Sequence, residues 1–158
     1  MTIRIFAAFA VLAFLTACSS NPDAPAGGMR TTGTGTSSST GTAGGDFATG
    51  AGDKVFFDPD RAVIRDDGRA TLDKQAEWLL RNKTVTVQIA GNCDERGTEE
   101  YNLALGSRRA NAAQTYLQVR GVAPTRIAAI SFGKTRPLAP GSSEDSWAQN
   151  RNATTSIR

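Results

Sequence analysis

Hydrophobic and polar positions divide the chain into three stretches of different texture. From Ile5 to Leu15, eleven consecutive residues are apolar and uncharged. A bilayer-spanning helix needs about 20 such residues, so this run has the length of a secretory signal core rather than of a membrane anchor. Large apolar side chains then become scarce until residue 53. Beyond that point the pattern alternates between a period of 2 and a period near 3.6. Lys54-Val55-Phe56-Phe57 reads as a short strand. Asp66-Asp67 opens a helix that runs to about Asn82, with Leu72, Ala76, Leu79 and Leu80 as its apolar stripe. Val85, Val87 and Ile89 alternate with Thr84, Thr86 and Gln88, which predicts a second strand. Gly91 to Gly97 is a polar loop. Thr98 caps a second helix that reaches Arg120, with Glu99 and Glu100 in its first turn, and Gly121 ends it. Ile127 to Phe132 is a third strand, and Gly133 to Ser143 a Pro- and Gly-rich loop. A short helix over Asp145–Asn150 precedes a last strand, Ala153–Ile157. Alternating strands and helices predict an α+β, βαβαβ-type layered domain over residues 53–158. Strand order does not follow from the pattern.

Composition changes the reading of the first 52 residues. Leu15-Thr16-Ala17-Cys18 resembles a bacterial lipobox. The resemblance implies a signal peptide over residues 1–17, cleavage before Cys18 and lipid on that cysteine. Several acyl chains, each contributing about 0.8 kcal/mol per buried CH2, would hold the chain stably on a membrane. Ser19, a non-acidic residue after the cysteine, implies the outer membrane by analogy with bacterial lipoproteins. Of the 34 residues from Ser19 to Gly52, 21 are Gly, Ser or Thr. Residues 18–52 are therefore read as a lipidated cysteine followed by a flexible linker, because the stretch has too little apolar surface to offset its ordering entropy. As a coil the linker spans about 30 Å.

Charge and chemistry narrow the functions. The chain has 158 residues, 18 Lys plus Arg, 15 Asp plus Glu, two Cys and no His. The missing His excludes Ser–His and Cys–His nucleophile pairs and any His-ligated metal. A net charge of +3, or +2 once Arg4 leaves with the leader, is too small to indicate nucleic acid as a partner. With Cys18 acylated, Cys93 has no partner for a disulfide.

A helical wheel of the second helix gives the first candidate site. One broad arc holds Tyr101, Leu103, Leu105, Gly106, Ala110, Ala112, Ala113, Tyr116, Leu117 and Val119. Asn102 and Arg109 fall inside this apolar arc, on one line seven residues apart, whereas Arg108 lies at its polar edge. Arg109 is therefore expected to be enclosed and Arg108 solvated. A buried guanidinium is costly unless paired, and its planar fork matches a carboxylate. The nearest carboxylates lie in the Gly91–Thr98 loop. Two readings follow. Arg109 and Asp94 form a buried ion pair that ties the loop to the helix, or they bracket a zwitterion, Arg109 taking its carboxylate and Asp94 its ammonium. On the second reading Arg109→Ala abolishes binding and spares the fold.

The run from Gly91 through Gly97-Thr98, Tyr101-Asn102 and Arg108-Arg109 to Ala112 resembles the signature of OmpA-like peptidoglycan-binding domains. The resemblance extends to Phe57-Asp58-Pro59-Asp60, Gly121-Val122, Ser131-Phe132-Gly133-Lys134 and Asn150-Arg151. It implies helices packed on a mixed sheet, and noncovalent binding of the diaminopimelate residue in the peptide stem of peptidoglycan. Asp94 and Arg109 match the family's binding acid and base, Asn102 its helix asparagine, and Asp58 a further pocket position. Leu105 would supply an apolar wall, and Gly97 and Thr98 backbone contacts. The implied partners are peptidoglycan and a TolB-type periplasmic β-propeller with other Tol-system proteins, and no cofactor or metal is implied. Outer-membrane attachment would come through lipid on Cys18, the domain lying in the periplasm. The chain departs from the pattern at Asn92-Cys93, where many relatives have His-Thr, and at Asn152, where an arginine is common.

A wall hydrolase would need paired carboxylates such as Asp94 with Asp58, and nothing in the sequence raises either pKa. A nucleophilic Cys93 lacks a base, and Asp94 and Glu95 beside it disfavour the thiolate. The chain is thus expected not to be an enzyme. A module whose only ligand is another protein is the remaining alternative.

Overall fold

The computed structural model describes residues 40–158, with side chains from residue 45. The signal peptide, the lipidation site Cys18 and the linker up to residue 39 lie outside the described residues. The elements are α1 (Thr40–Gly50), β1 (Lys54–Phe56), α2 (Asp66–Arg81), β2 (Val87–Asn92), α3 (Glu99–Val119), a short 3-10 turn (Pro124–Arg126), β3 (Ile127–Gly133), α4 (Glu144–Asn150) and β4 (Asn152–Ile157).

The strands form one mixed sheet in the order β1-β4-β2-β3. β2 and β3 run parallel, joined by α3, with Val87 opposite Ile127. β4 enters between β1 and β2 and is antiparallel to both. The fold is α+β. Its core lies where α2 and α3 cover the sheet. Leu72, Leu79, Ile89 and Leu117 are fully enclosed there. Each such side chain contributes about 1.5–3 kcal/mol on burial.

Helix ends follow the local chemistry. The Thr98 hydroxyl accepts from the Tyr101 N–H at 3.2 Å, capping α3. At the other end the Gly121 N–H donates to the Gln118 carbonyl and the Val122 N–H to the Leu117 carbonyl, a Schellman closure with Gly121 at φ +98°. Arg126 closes α2 from outside. Its Nε donates to the Val85 carbonyl at 2.8 Å, and its Nη2 to those of Leu79 and Asn82 at 3.1 and 2.7 Å.

Three expectations are corrected. The linker does not extend to residue 52, because residues 40–50 are helical and Phe47 is 1% exposed. The Phe47 ring meets Trp78 edge-on, with centroids 5.2 Å apart. Burying one aromatic ring stabilises by about 1.5–3 kcal/mol, which offsets part of the helix cost of about 1 kcal/mol for each of the glycines in α1. Next, the second strand starts and ends later than the alternation suggests, and it includes Gly91 and Asn92. A Cβ on Gly91 would stand 1.8 Å from the Gly106 carbonyl oxygen, and one on Gly106 would stand 2.4 Å from the Ser131 hydroxyl. Two glycines therefore let the α3 backbone lie directly on the sheet. Finally, the apolar arc of α3 is too wide. Tyr101, Leu103 and Val119 are exposed, as is Leu80 on α2, and the buried face narrows to Asn102, Leu105, Gly106, Arg109, Ala110, Ala113 and Leu117.

Candidate functional site

The end of β2, the loop after it and the first turn of α3 surround a cleft of about 330 Å3, lined by Pro59, Asp60, Asp94, Arg96, Gly97 and Tyr101. Its far wall is a tight turn. The Arg61 N–H donates to the Asp58 carbonyl at 3.2 Å, with Pro59 and Asp60 between them. Asp60 adopts φ +54°, the left-handed conformation that a short polar side chain tolerates.

Asp94 is 8% exposed and heavily bonded. Its Oδ1 accepts from the Arg96 backbone N–H and from Arg96 Nε, both at 3.2 Å. Its Oδ2 accepts from Arg96 Nη2 at 2.7 Å and from Arg151 Nη1 at 3.3 Å. Burial pushes the carboxyl upward, but the bonds from Arg96 and Arg151 outweigh it and hold Asp94 below its ordinary value. The two arginines differ in freedom. The Arg151 side chain is 7% exposed and is also tied to the Phe57 carbonyl and to Glu144. The Arg96 side chain is 45% exposed, and its guanidinium lies 4.3 Å from the centre of the Trp147 ring.

Arg109 makes no ion pair with Asp94, so the first of the two sequence readings fails as stated. The side chain is fully buried, and its guanidinium donates to three backbone carbonyls instead. Nε bonds Arg61 at 2.9 Å, Nη1 bonds Asn92 at 2.9 Å and Nη2 bonds Asp58 at 3.1 Å. It thereby fastens both ends of the Asp58–Arg61 turn to the end of β2. A guanidinium carries five N–H donors, so these bonds leave two for other partners. Arg109→Ala would strand three carbonyls, and the expectation that it spares the fold is withdrawn. Arg108 is exposed, as the wheel required.

Asp94 and Gly97 line the cleft, and the other residues singled out from the sequence stand behind it. The Asn102 amide donates to the carbonyls of Arg96 at 2.6 Å and Thr98 at 2.9 Å, which shapes the loop. Leu105 is buried in α3 rather than forming a cleft wall. Thr98 is spent on capping. Asp58 contributes its carbonyl, while its carboxylate is half exposed and 3.9 Å from Arg65. Sequence reasoning missed Asp60, Arg96, Tyr101 and Arg151. Proline followed by aspartate was a turn signal for Asp60. No local pattern announced that Arg151, 57 residues from Asp94, would reach it.

The two departures from the family pattern meet. Asn92 Nδ2 donates to Asn152 Oδ1 at 2.8 Å, and the Thr154 hydroxyl donates to the same oxygen. Cys93 is buried, its thiol 3.3 Å from the Asn102 carbonyl, and burial pushes its pKa up. A buried neutral thiol is inert. Among the described residues no three His, Cys, Asp or Glu side chains gather into a metal site.

Comparison with known proteins agrees with this architecture. Residues 56–151 match the model of the OmpA family. The peptidoglycan-associated lipoprotein of Mesorhizobium japonicum is 48% identical over 112 residues, which is 71% of this chain and 67% of that protein. Its counterpart in Rhizobium meliloti is 50% identical over 110 residues, 70% of this chain and 62% of that protein, so the match leaves about a third of each relative's length unspanned. The crystal structure of the peptidoglycan-associated lipoprotein from Burkholderia pseudomallei is 42% identical and superposes with a TM-score of 0.65, covering 67% of this chain and 90% of that one. The C-terminal domain of Helicobacter pylori MotB, 22% identical with a TM-score of 0.61 over 67% of this chain and 84% of that one, shares the fold. With its glycine-supported helix crossing and the acid-bearing cleft beside it, this chain belongs to the OmpA family.

Proposed function

We propose that the chain is a lipid-anchored outer-membrane protein that binds peptidoglycan noncovalently and ties the membrane to the cell wall. The observation that carries this reading is the cleft. It presents a buried, ionised carboxylate, Asp94, at an open pocket in a chain whose relatives are named peptidoglycan-associated lipoproteins. The ligand group is the zwitterionic end of diaminopimelate in the peptide stem. Its ammonium goes to Asp94, a charge-assisted contact. Its carboxylate goes to Arg109, whose guanidinium carries more N–H donors than the three carbonyls use. Gly97 and Thr98 offer backbone contacts, Asn102 holds the loop in shape, and Asp58 and Leu105 act through the turn and the helix.

The tether follows from the sequence. Lipid on Cys18 holds one end, the Gly/Ser/Thr stretch spans the gap, and the domain holds the wall. Modest affinity suffices, because the wall repeats its sites and the anchor confines the search. A TolB-type β-propeller of the Tol-Pal system competes for the same face, and through it the chain serves envelope integrity and constriction at division. The chain performs no catalysis.

The test is calorimetric titration of the full chain in detergent with a soluble muropeptide containing diaminopimelate, beside Asp94→Ala. Wild-type binding that the variant loses supports the reading. A wild-type chain that binds no muropeptide overturns it.

A further inference from the structure

Resting on that reading of the cleft, we infer that Arg96 is an internal competitor for Asp94. In the free chain its guanidinium occupies the seat of the ligand's ammonium group, and binding is an exchange of one cation for another.

The argument is one of donors and freedom. Four bonds converge on the Asp94 carboxylate, three of them from Arg96. An ammonium group entering the cleft therefore finds its acceptor already engaged. Of the two guanidinium groups there, Arg151 cannot leave. It is enclosed and bonded on three sides, to Phe57, Asp94 and Glu144. Arg96 can leave. Its side chain is nearly half exposed, lines the cleft, and is held by the Asp94 carboxylate and the face of Trp147 alone among side chains. Its backbone N–H stays on Asp94 Oδ1 when the side chain swings out, so the loop keeps its shape during the exchange.

The exchange makes the site selective by charge. A ligand without a cation cannot replace the pair it breaks, and Asp94 would be left buried with only Arg151. A ligand with an ammonium group replaces one charge-assisted interaction by another, so the net affinity is modest by construction. Trp147 reports the event. Its ring loses the stacked guanidinium when Arg96 departs, while its Nε1 bond to Glu95 at 3.1 Å persists.

The experiment uses the full chain in detergent, with Trp78→Phe so that Trp147 is the single indole, and a soluble muropeptide containing diaminopimelate. Calorimetry is expected to show Arg96→Ala binding about three- to tenfold more tightly than the parent, the scale of a partly exposed ion pair removed as competitor. Arg96→Lys is expected to stay near the parent, because it restores a competing cation. Muropeptide should shift Trp147 emission in the parent and leave it unchanged in Arg96→Ala. Weaker or equal binding by Arg96→Ala, with the parent binding, overturns the competitor role and leaves the wall-binding reading standing. Absence of binding by parent and variant alike, with both folded, overturns both. Unchanged Trp147 emission in a parent that binds shows that Arg96 stays in place, and it also overturns the exchange.

Discussion

Two arginines of this domain solve the same local problem and differ in what stands next to them. Arg126 and Arg109 each donate to three backbone carbonyls. Around Arg126 those carbonyls belong to the end of α2 and the residues just after it. There helix geometry leaves carbonyls without partners and the helix dipole is negative. Arg126 is half-buried, and its neighbours are structural. Around Arg109 the carbonyls come from segments 17, 48 and 51 residues away, and the side chain is fully enclosed. Beyond its cage lie Cys93, Asp94 and the acid-lined cleft. A carbonyl cage is thus no sign of a ligand by itself. A neighbouring carboxylate at an open cleft is what separates a clamp from a candidate site.

The largest expected effect breaks the comparison at its centre. Arg109→Ala should cost about 3–5 kcal/mol in urea unfolding, because it opens a cavity and strands three carbonyls. It should also abolish muropeptide binding at temperatures where the variant stays folded. Arg109→Lys should recover less than half of the stability, since one ammonium cannot span three separated carbonyls. Arg126→Ala should cost about 1–2 kcal/mol and leave the muropeptide affinity unchanged. Equal losses of binding from Arg109→Ala and Arg126→Ala would erase the distinction between the two regions.

Acid sharpens it further. The Arg96 and Arg151 bonds hold the native Asp94 carboxyl below its ordinary value. A depressed pKa means that the stabilisation is complete above the ordinary carboxylate range near pH 4 and is lost as pH falls through the native value. Urea midpoints of the parent should therefore drop over this acid window more steeply than those of Asp94→Asn. The smallest effect is expected for Arg108→Ala, within about 0.5 kcal/mol of the parent and with unchanged binding, because its side chain is solvated.

Much of the fold was legible because local rules and tertiary demands agree. The Thr98 cap, the acidic first turns and Gly121 mark the helices in sequence, and the same residues close them in space. The buried Arg109 was legible because one cation in an apolar stripe violates helical patterning. What it bonds was not, since a backbone carbonyl has no sequence signature. The linker boundary was misjudged for a related reason. Phe47 is one aromatic among small residues, and only its docking on Trp78 makes a helix there worth its entropy.

By itself, the sequence determined the family and the order of the elements from β1 to β4, because each depends on residues close together along the chain. Tertiary structure alone decided the strand order with β4 in the interior, the Gly91–Gly106 crossing and the cage around Arg109. It also decided that Arg151 and Arg96 share the Asp94 carboxylate. Such contacts join residues far apart in sequence, and their energies depend on burial, which a chain acquires only once it has folded.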